Sequence, residues 1–138
     1  MKTIKWGEVQ GCIVLVHGVA APTDDEWTAY LDFLQVYLRP NPTHPRFLVV
    51  TAGGTPSPTQ RKRMEALSGR MLYASRVAIV TGSTFARGVV TAFSLVSPGY
   101  KAFDPKAIDK AFEFLEQPPS RAETIKRLVE SWQSELRG

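Results

Sequence analysis

The chain has 138 residues, 43% of them hydrophobic, and a formal net charge of +4. That length fits one domain with a core that needs no disulfide staples, and a single cysteine excludes an internal disulfide. The longest apolar run is far shorter than the roughly 20 residues of a membrane-spanning helix, and the amino-terminal stretch lacks the apolar core and cleavage site of a secretory signal, so a cytoplasmic protein without membrane insertion is expected.

In chain order, "TIKWGEVQ" alternates in polarity and predicts a half-buried strand. Gly11 permits a tight turn into "CIVLVHG", a continuous apolar run of the kind found in strands covered on both faces. The two strands are expected to pair as a hairpin. Cys12 heads the second strand, which predicts a buried thiol and not a nucleophile.

The segment "APTDDEWTAYLDFLQVYLRP" predicts the first helix. Thr23 and Glu26 have capping-box spacing, and acids fill the first turn, where the helix dipole favours them. Trp27, Leu31, Leu34 and Leu38 recur at helical spacing, with Tyr30 and Tyr37 beside them, and Pro40 and Pro42 stop the run. "RFLVV" is the next strand. After its exit loop "TAGGTPSP", Ser57 reads as the cap of a second helix, with Pro58 first inside it and Gln60 as reciprocal partner. Met64, Leu67 and Met71 form its inner face, and Gly69 ends it.

"RVAIV" is a further strand leaving through "TGST", where Ser83 or Thr84 caps a third helix running to about Val96. "YKAF" is a short edge strand. Asp104 and Pro105 start a helix whose inner face is Ile108, Ala111, Phe112 and Leu115. "QPPS" breaks it. Ser120 and Glu123 have capping-box spacing for a last helix, with Ile125, Leu128, Val129, Trp132 and Leu136 on one face. The fold class is therefore α/β, with about five strands. Its central strands run parallel through right-handed crossovers, an antiparallel amino-terminal hairpin flanks them, and helices pack on the sheet.

Open parallel sheets hold ligands at the carboxyl ends of their strands. Polar or flexible residues gather there: His17; Gly53, Gly54 and the rest of Thr51 to Ser57; and Thr81, Ser83 and Thr84. Arg61 and Arg87 stand where they could reach an anion at the adjoining helix starts. Glycine and threonine make turns and caps by themselves, so these residues carry both readings. The basic run Arg61, Lys62, Arg63 and Arg70 reads as a solvated helix face or as a patch for an acidic partner. No interleaved aromatics or binding motif point to nucleic acid.

Several enzyme classes lack their parts. There is no G-x-S-x-G elbow, and "TGSTFARG" misses the glycine such an elbow needs. A late histidine is also missing, because the second histidine, His44, precedes both candidate serines. "HGVAAP" and "TAGGTP" both fail the dinucleotide spacing, and there is no phosphate-binding loop. Two histidines and one cysteine without ligand spacing predict no metal site, and we expect no cofactor. His17 is expected to cap its strand or to be hydrogen-bonded there. Asp24, Asp25 and Glu26 are explained by their place in a first helical turn.

The order of "VHGVAAPTDDEWTAYLDFL", "RFLVVTAGGTPSPTQRKRM", "RVAIVTGSTFARGVVTAF" and "YKAFDPKAIDKAFEFLEQP" resembles the STAS domains, in particular the small SpoIIAA-like, STAS/SEC14-type bacterial proteins. The resemblance spans roughly residues 10–118. It implies a STAS-like domain over 1–118, followed by an accessory amphipathic helix over 119–138 packed on the same domain. It also implies a regulatory or scaffolding module for protein–protein interaction and not an enzyme.

Family members are switched by phosphorylation in an Asp-Ser-Gly loop after a central strand. The matching loop here is "TAGGTPSPTQ", whose hydroxyls are Thr55, Ser57 and Thr59, without the Asp-Ser-Gly triplet. A phosphate on Ser57 would sit at a helix start near Arg61; intact mass of protein from its native host tests this, and no phosphoform in any growth state would count against it. Some of the aromatics Trp27, Tyr30, Phe33, Tyr37 and Trp132 exceed what one inner face needs, which reads either as a broad core face or as a surface for a protein partner or a homodimer. Two alternatives remain open: a small-ligand or lipid pocket, by analogy with SEC14-type relatives, and an unrecognised enzyme at the strand ends using His17 and a hydroxyl. A retained ligand in native mass spectrometry would support the first. A phenotype of His17→Ala without loss of folding would support the second.

Overall fold

The computed structural model describes residues 2–38, 45–68, 76–94 and 99–137. Five strands form one sheet in the order β1-β2-β3-β4-β5, the same as their order in the chain. They are β1 (Ile4–Val9), β2 (Cys12–His17), β3 (Arg46–Thr51), β4 (Arg76–Thr81) and β5 (Tyr100–Phe103). The pair β1–β2 is antiparallel and every later pair is parallel. The helices are α1 (Asp24–Leu38), α2 (Pro58–Ser68), α3 (Thr84–Ser94), α4 (Ile108–Phe114) and α5 (Pro119–Arg137), with a 3-10 turn at Pro105–Ala107 leading into α4. The expected α/β architecture with an antiparallel hairpin beside parallel strands is the observed one.

The hairpin turns on two residues, Gln10 and Gly11, both at positive φ (46° and 93°). That is the conformation a two-residue hairpin favours, because its twist matches the strands. Glu8 Oε1 accepts the Gly11 N–H at 2.7 Å.

Strand β2 is buried along its whole length, so alternate residues build two cores. Cys12, Val14 and Val16 face one side, where they meet Leu48, Val50 and Val80 and are covered by Phe112 of α4 and Ile125 and Val129 of α5. Ile13 and Leu15 face the other, against Trp27, Tyr30, Leu31 and Leu34 of α1. Met64 and Leu67 of α2 pack at the margin of that second core. Burial pushes the Cys12 thiol up to about 12, which leaves it an inert core side chain.

Helix α5 begins one residue before the predicted cap. Pro119 is its first residue, and the Ala122 N–H donates to Pro118 O at 2.9 Å. Ser120 is therefore inside the helix, and Glu123 accepts from Arg127 (3.3 Å) instead of closing a capping box. Proline is favoured at a first helical position because it has no N–H to leave unpaired there. The helix's Trp132 indole lies 3.1 Å from where a Cβ on Gly7 would stand, and its Glu135 pairs with Lys5 of β1.

The aromatics of α1 and α5 form a broad inner face with a half-buried margin. Trp27 and Tyr30 are buried, Phe33, Tyr37 and Trp132 are half-buried, and Phe33 stacks on Tyr37 at 6.1 Å. The large exposed hydrophobics are Val19, Val36, Phe85 and Val89. Pro40, Pro42, His44, Gly69, Arg70, Met71 and Val96 lie outside the described residues.

Candidate functional site at the strand ends

The parallel register places His17 beside Thr51 and Thr51 beside Thr81. All three side chains fall on the odd-numbered face of their strands, the face that α1 covers. The sequence thus sets one polar row across three neighbouring strand ends. It contains two of the three buried polar side chains of the described chain, His17 and Thr81; the third, Gln60, lies in the first turn of α2.

Each hydroxyl is engaged by its own turn. Thr51 Oγ1 donates to Gly54 O (2.6 Å) and accepts the Gly53 N–H (3.0 Å). Thr81 Oγ1 accepts the Ser83 N–H (3.2 Å). Ser57 Oγ caps α2 by accepting the Gln60 N–H (3.1 Å), and Gln60 Oε1 returns the bond to the Ser57 N–H (2.9 Å). Ser83 Oγ caps α3 through the Ala86 N–H (3.1 Å). Both capping expectations hold, and each cap contributes about 1 kcal/mol to its helix.

Gln60 does more than close its box. Its Nε2 donates to Pro22 O (3.0 Å) and Asp24 Oδ1 (2.9 Å), and its carbonyl accepts the Trp27 indole N–H (2.8 Å). These bonds tie the start of α2 to the start of α1 across 33 to 38 residues of chain. The loops that lead to them also touch. Gly54 N–H donates to Gly18 O at 2.9 Å, and Ala52 N–H to His17 O at 3.2 Å.

His17 departs from its expectation. Its ring is buried against Trp27 (centroids 6.4 Å apart), and its Nδ1 has no hydrogen-bond partner. Burial alone pushes its pKa down to about 4, so the imidazole is neutral at physiological pH.

The two arginines differ. Arg61 is exposed on α2. Arg87 folds back: Nη1 donates to Thr81 O (2.8 Å) and pairs with Asp104 (3.1 Å), and Nη2 reaches Thr84 Oγ1 (3.4 Å). Its charge is already matched at the start of α3. Thr55 and Thr59 are exposed, as is Ser57. Gly53 adopts a φ of 137°, and Gly54 is buried. The structure thus unites His17, Thr51 and Thr81 in a row, to which Ser83 and Arg87 bond at Thr81, whereas Ser57 is held in the cap of α2. A shallow recess of about 220 Å³, lined by Val9, Gln10, Pro118, Ser120, Arg121 and Thr124, opens at the opposite end of the sheet.

What the sequence did not isolate is the outer face of α3. Phe85 is 83% exposed and Val89, one turn on, 54% exposed; Ala92 follows three residues later and is also exposed. The apolar residues of α3 share one face, opposite Thr84, Arg87 and Thr91, so helical periodicity would turn that face inward, yet Phe85 and Val89 on it are exposed. Among the described residues, no three His, Cys, Asp or Glu side chains group to hold a metal, and no helix is long and apolar enough to cross a membrane.

Among solved structures, the chain is similar to an uncharacterized protein of the DUF3478 family from Shewanella loihica, described as having a SpoIIAA-like fold. The TM-score is 0.59 at 18% identity, over 83% of this chain and 95% of that one. No family model matches the chain, and no curated protein matches it. The five strands in chain order, the leading antiparallel hairpin and this likeness together give the chain the SpoIIAA-like fold.

Proposed function

We propose that the chain is a non-catalytic binding module of regulatory or scaffolding type, and that it engages a partner protein through the outer face of α3. One observation carries this reading: Phe85 and Val89 stand exposed one helical turn apart, at the end of the sheet where the loops meet. Large apolar side chains exposed together are a mark of contact surfaces. The nearby hydroxyls support the same reading, because Thr51, Ser57, Thr81 and Ser83 each serve a turn or a cap. A nucleophile needs a base within hydrogen-bond reach, and the buried Nδ1 of His17 has no partner. Exposed Arg61 and Lys62 on α2 favour a partner whose apolar contact has an acidic rim.

A photo-crosslinking residue placed at position 85 in the native host tests this. The expected result is one dominant crosslinked protein. Its binding to the purified chain should weaken at least about tenfold in the double variant Phe85→Ser, Val89→Ser, the loss of two hot-spot side chains. Crosslinking to a second copy would redirect the proposal to a homodimer. No crosslink above background would overturn it.

A second reading, a small-ligand or lipid-binding domain, is favoured by a different observation. Val49 and Ile79 sit mid-strand on the sheet face that α1 covers, yet both are half-buried beside half-buried Met64 and Tyr100. An apolar ligand could complete that cover. Native mass spectrometry of gently purified protein should then show an adduct; a clean apo mass would end this reading.

A further inference from the structure

We propose that Glu26 and His17 form an acid-released clasp that joins the edge strand β1 to the start of α1. The Glu26 carboxylate accepts five hydrogen bonds from two segments. From the start of β1 and the residue before it come the Thr3 N–H (2.8 Å), the Thr3 hydroxyl (2.6 Å) and the Ile4 N–H (3.3 Å). From the capping box of α1 come the Thr23 N–H (3.3 Å) and hydroxyl (3.1 Å). One carboxylate thus closes the helix cap and satisfies the end of an edge strand.

His17 lies on the other side of the same junction. It is the register partner of Ile4, and the next residue, Gly18, donates its N–H to Thr3 O at 2.8 Å. Thr3 and Ile4 are therefore gripped by β2 on one side and by the carboxylate on the other. The grip needs an ionised Glu26, because a protonated carboxyl loses much of its accepting strength. It also needs a neutral His17, because an imidazolium would be buried with no partner at Nδ1.

The charged groups carried by the packed elements do not offer His17 a counter-ion. Beside Glu26, α1 carries Asp24, which accepts from Gln60, and exposed Asp25. On β1, Lys5 pairs with Glu135 of α5, and Lys2 is exposed; Arg137 ends α5 and is exposed too. Thr51 of β3 and Gln60 of α2 are uncharged. Burial is the sole cause acting on His17 and lowers it from 6.5 to about 4. For Glu26, burial pushes upward, but the hydrogen bonds from Thr3, Thr23 and Ile4 together outweigh it and hold the carboxyl at about 2.

The signs of the two groups agree. Glu26 is depressed below its unfolded value of 4.5, so its contribution is full above that pH and is lost as pH falls toward 2. His17 is depressed by burial, so protons favour the opened state from pH 6.5 downward, and that penalty stops growing near 4. Acidification thus loosens one junction through both groups in succession, His17 first.

Amide hydrogen exchange with pH correction, read at Ile4 and Gly18 in the full chain, tests the clasp. Glu26→Gln keeps the shape and removes the charge; it should raise exchange at both amides at least about tenfold at pH 7, as loss of charge-assisted bonds implies, while mid-strand amides of β3 and β4 hold their protection. His17→Phe, which keeps a buried ring, should remove the wild type's acceleration at Gly18 between pH 6.5 and 4. Unchanged exchange in Glu26→Gln would overturn the proposal. So would a His17 ring that titrates at its ordinary value, near 6.5, in the folded protein by NMR. If Glu26→Gln fails to fold, the wild-type pH series with His17→Phe decides alone.

Discussion

The Gly54→Ala variant is expected to be less stable than the wild type by about 3 kcal/mol, the upper part of the range for forcing atoms into a packed site. A Cβ at this position would stand 2.3 Å from Ala20 O and 2.8 Å from Gly18 O. Both are backbone atoms, so no side chain can swing aside to make room. The same contact carries the Gly54 N–H to Gly18 O bond, which any shift of the loop would lengthen. Gly88 provides the opposite case. Nothing lies within 4 Å of its added Cβ, and it sits inside α3, so Gly88→Ala should gain roughly 0.5–1 kcal/mol through helix propensity. Urea denaturation of the two variants checks both signs. A Gly54→Ala protein as stable as wild type would mean the two loops do not cross as described.

Trp27→Ala should cost about 4 kcal/mol, within the range for emptying a large buried aromatic site. The ring is 1% exposed and packs against both His17 and Tyr30, at centroid distances of 6.4 and 5.3 Å. Trp27→Phe separates its two roles. It keeps most of the apolar filling and loses the indole N–H, which leaves Gln60 O without its 2.8 Å donor. A buried hydrogen bond contributes roughly 0.5–1.5 kcal/mol, so Phe should fall between Ala and the wild type. Equal stabilities for Phe and Ala would locate the whole effect in the lost hydrogen bond; a Phe variant matching wild type would locate it in packing.

The parts of this fold legible in the sequence are those set by local chemistry. The Thr23–Glu26 and Ser57–Gln60 boxes span three residues each, and both form. The apolar run of β2 reads as a strand covered on both faces, and it is. What stayed hidden depends on distant partners. The capping role of Glu26 is readable, but its reach to Thr3 and Ile4 spans 22 to 23 residues and joins different elements. Gln60 likewise reads as a cap, although its carbonyl and amide serve α1. The Ser120 cap fails because Pro119 suits a first helical position, so the helix starts two residues earlier than a cap at Ser120 would place it.

The candidate site was legible as a place more than as a set of contacts. The parallel order brings three strand ends side by side, and the register aligns His17, Thr51 and Thr81 there. The roles of the residues differ from those expected. Arg87, a candidate for an anion, is bound to Thr81 O and Asp104. Trp27 and Tyr30 turn inward, and Phe33, Tyr37 and Trp132 lie at the core margins, because a sheet covered on both faces has two cores to fill. The exposed apolar surface falls on α3 instead, where the periodicity would have turned Phe85 and Val89 inward.

The central claim is that α3 presents the binding face while the strand-end hydroxyls hold the loops. The direct measurement is the affinity of the partner crosslinked from position 85, purified, for three proteins compared by calorimetry at one temperature and salt concentration. The expected order is Ser57→Ala within about twofold of wild type, since it loses a cap and no contact, and Phe85→Ser, Val89→Ser weaker by at least about tenfold. The reverse order, with binding lost in Ser57→Ala and kept in the α3 double variant, would contradict the account.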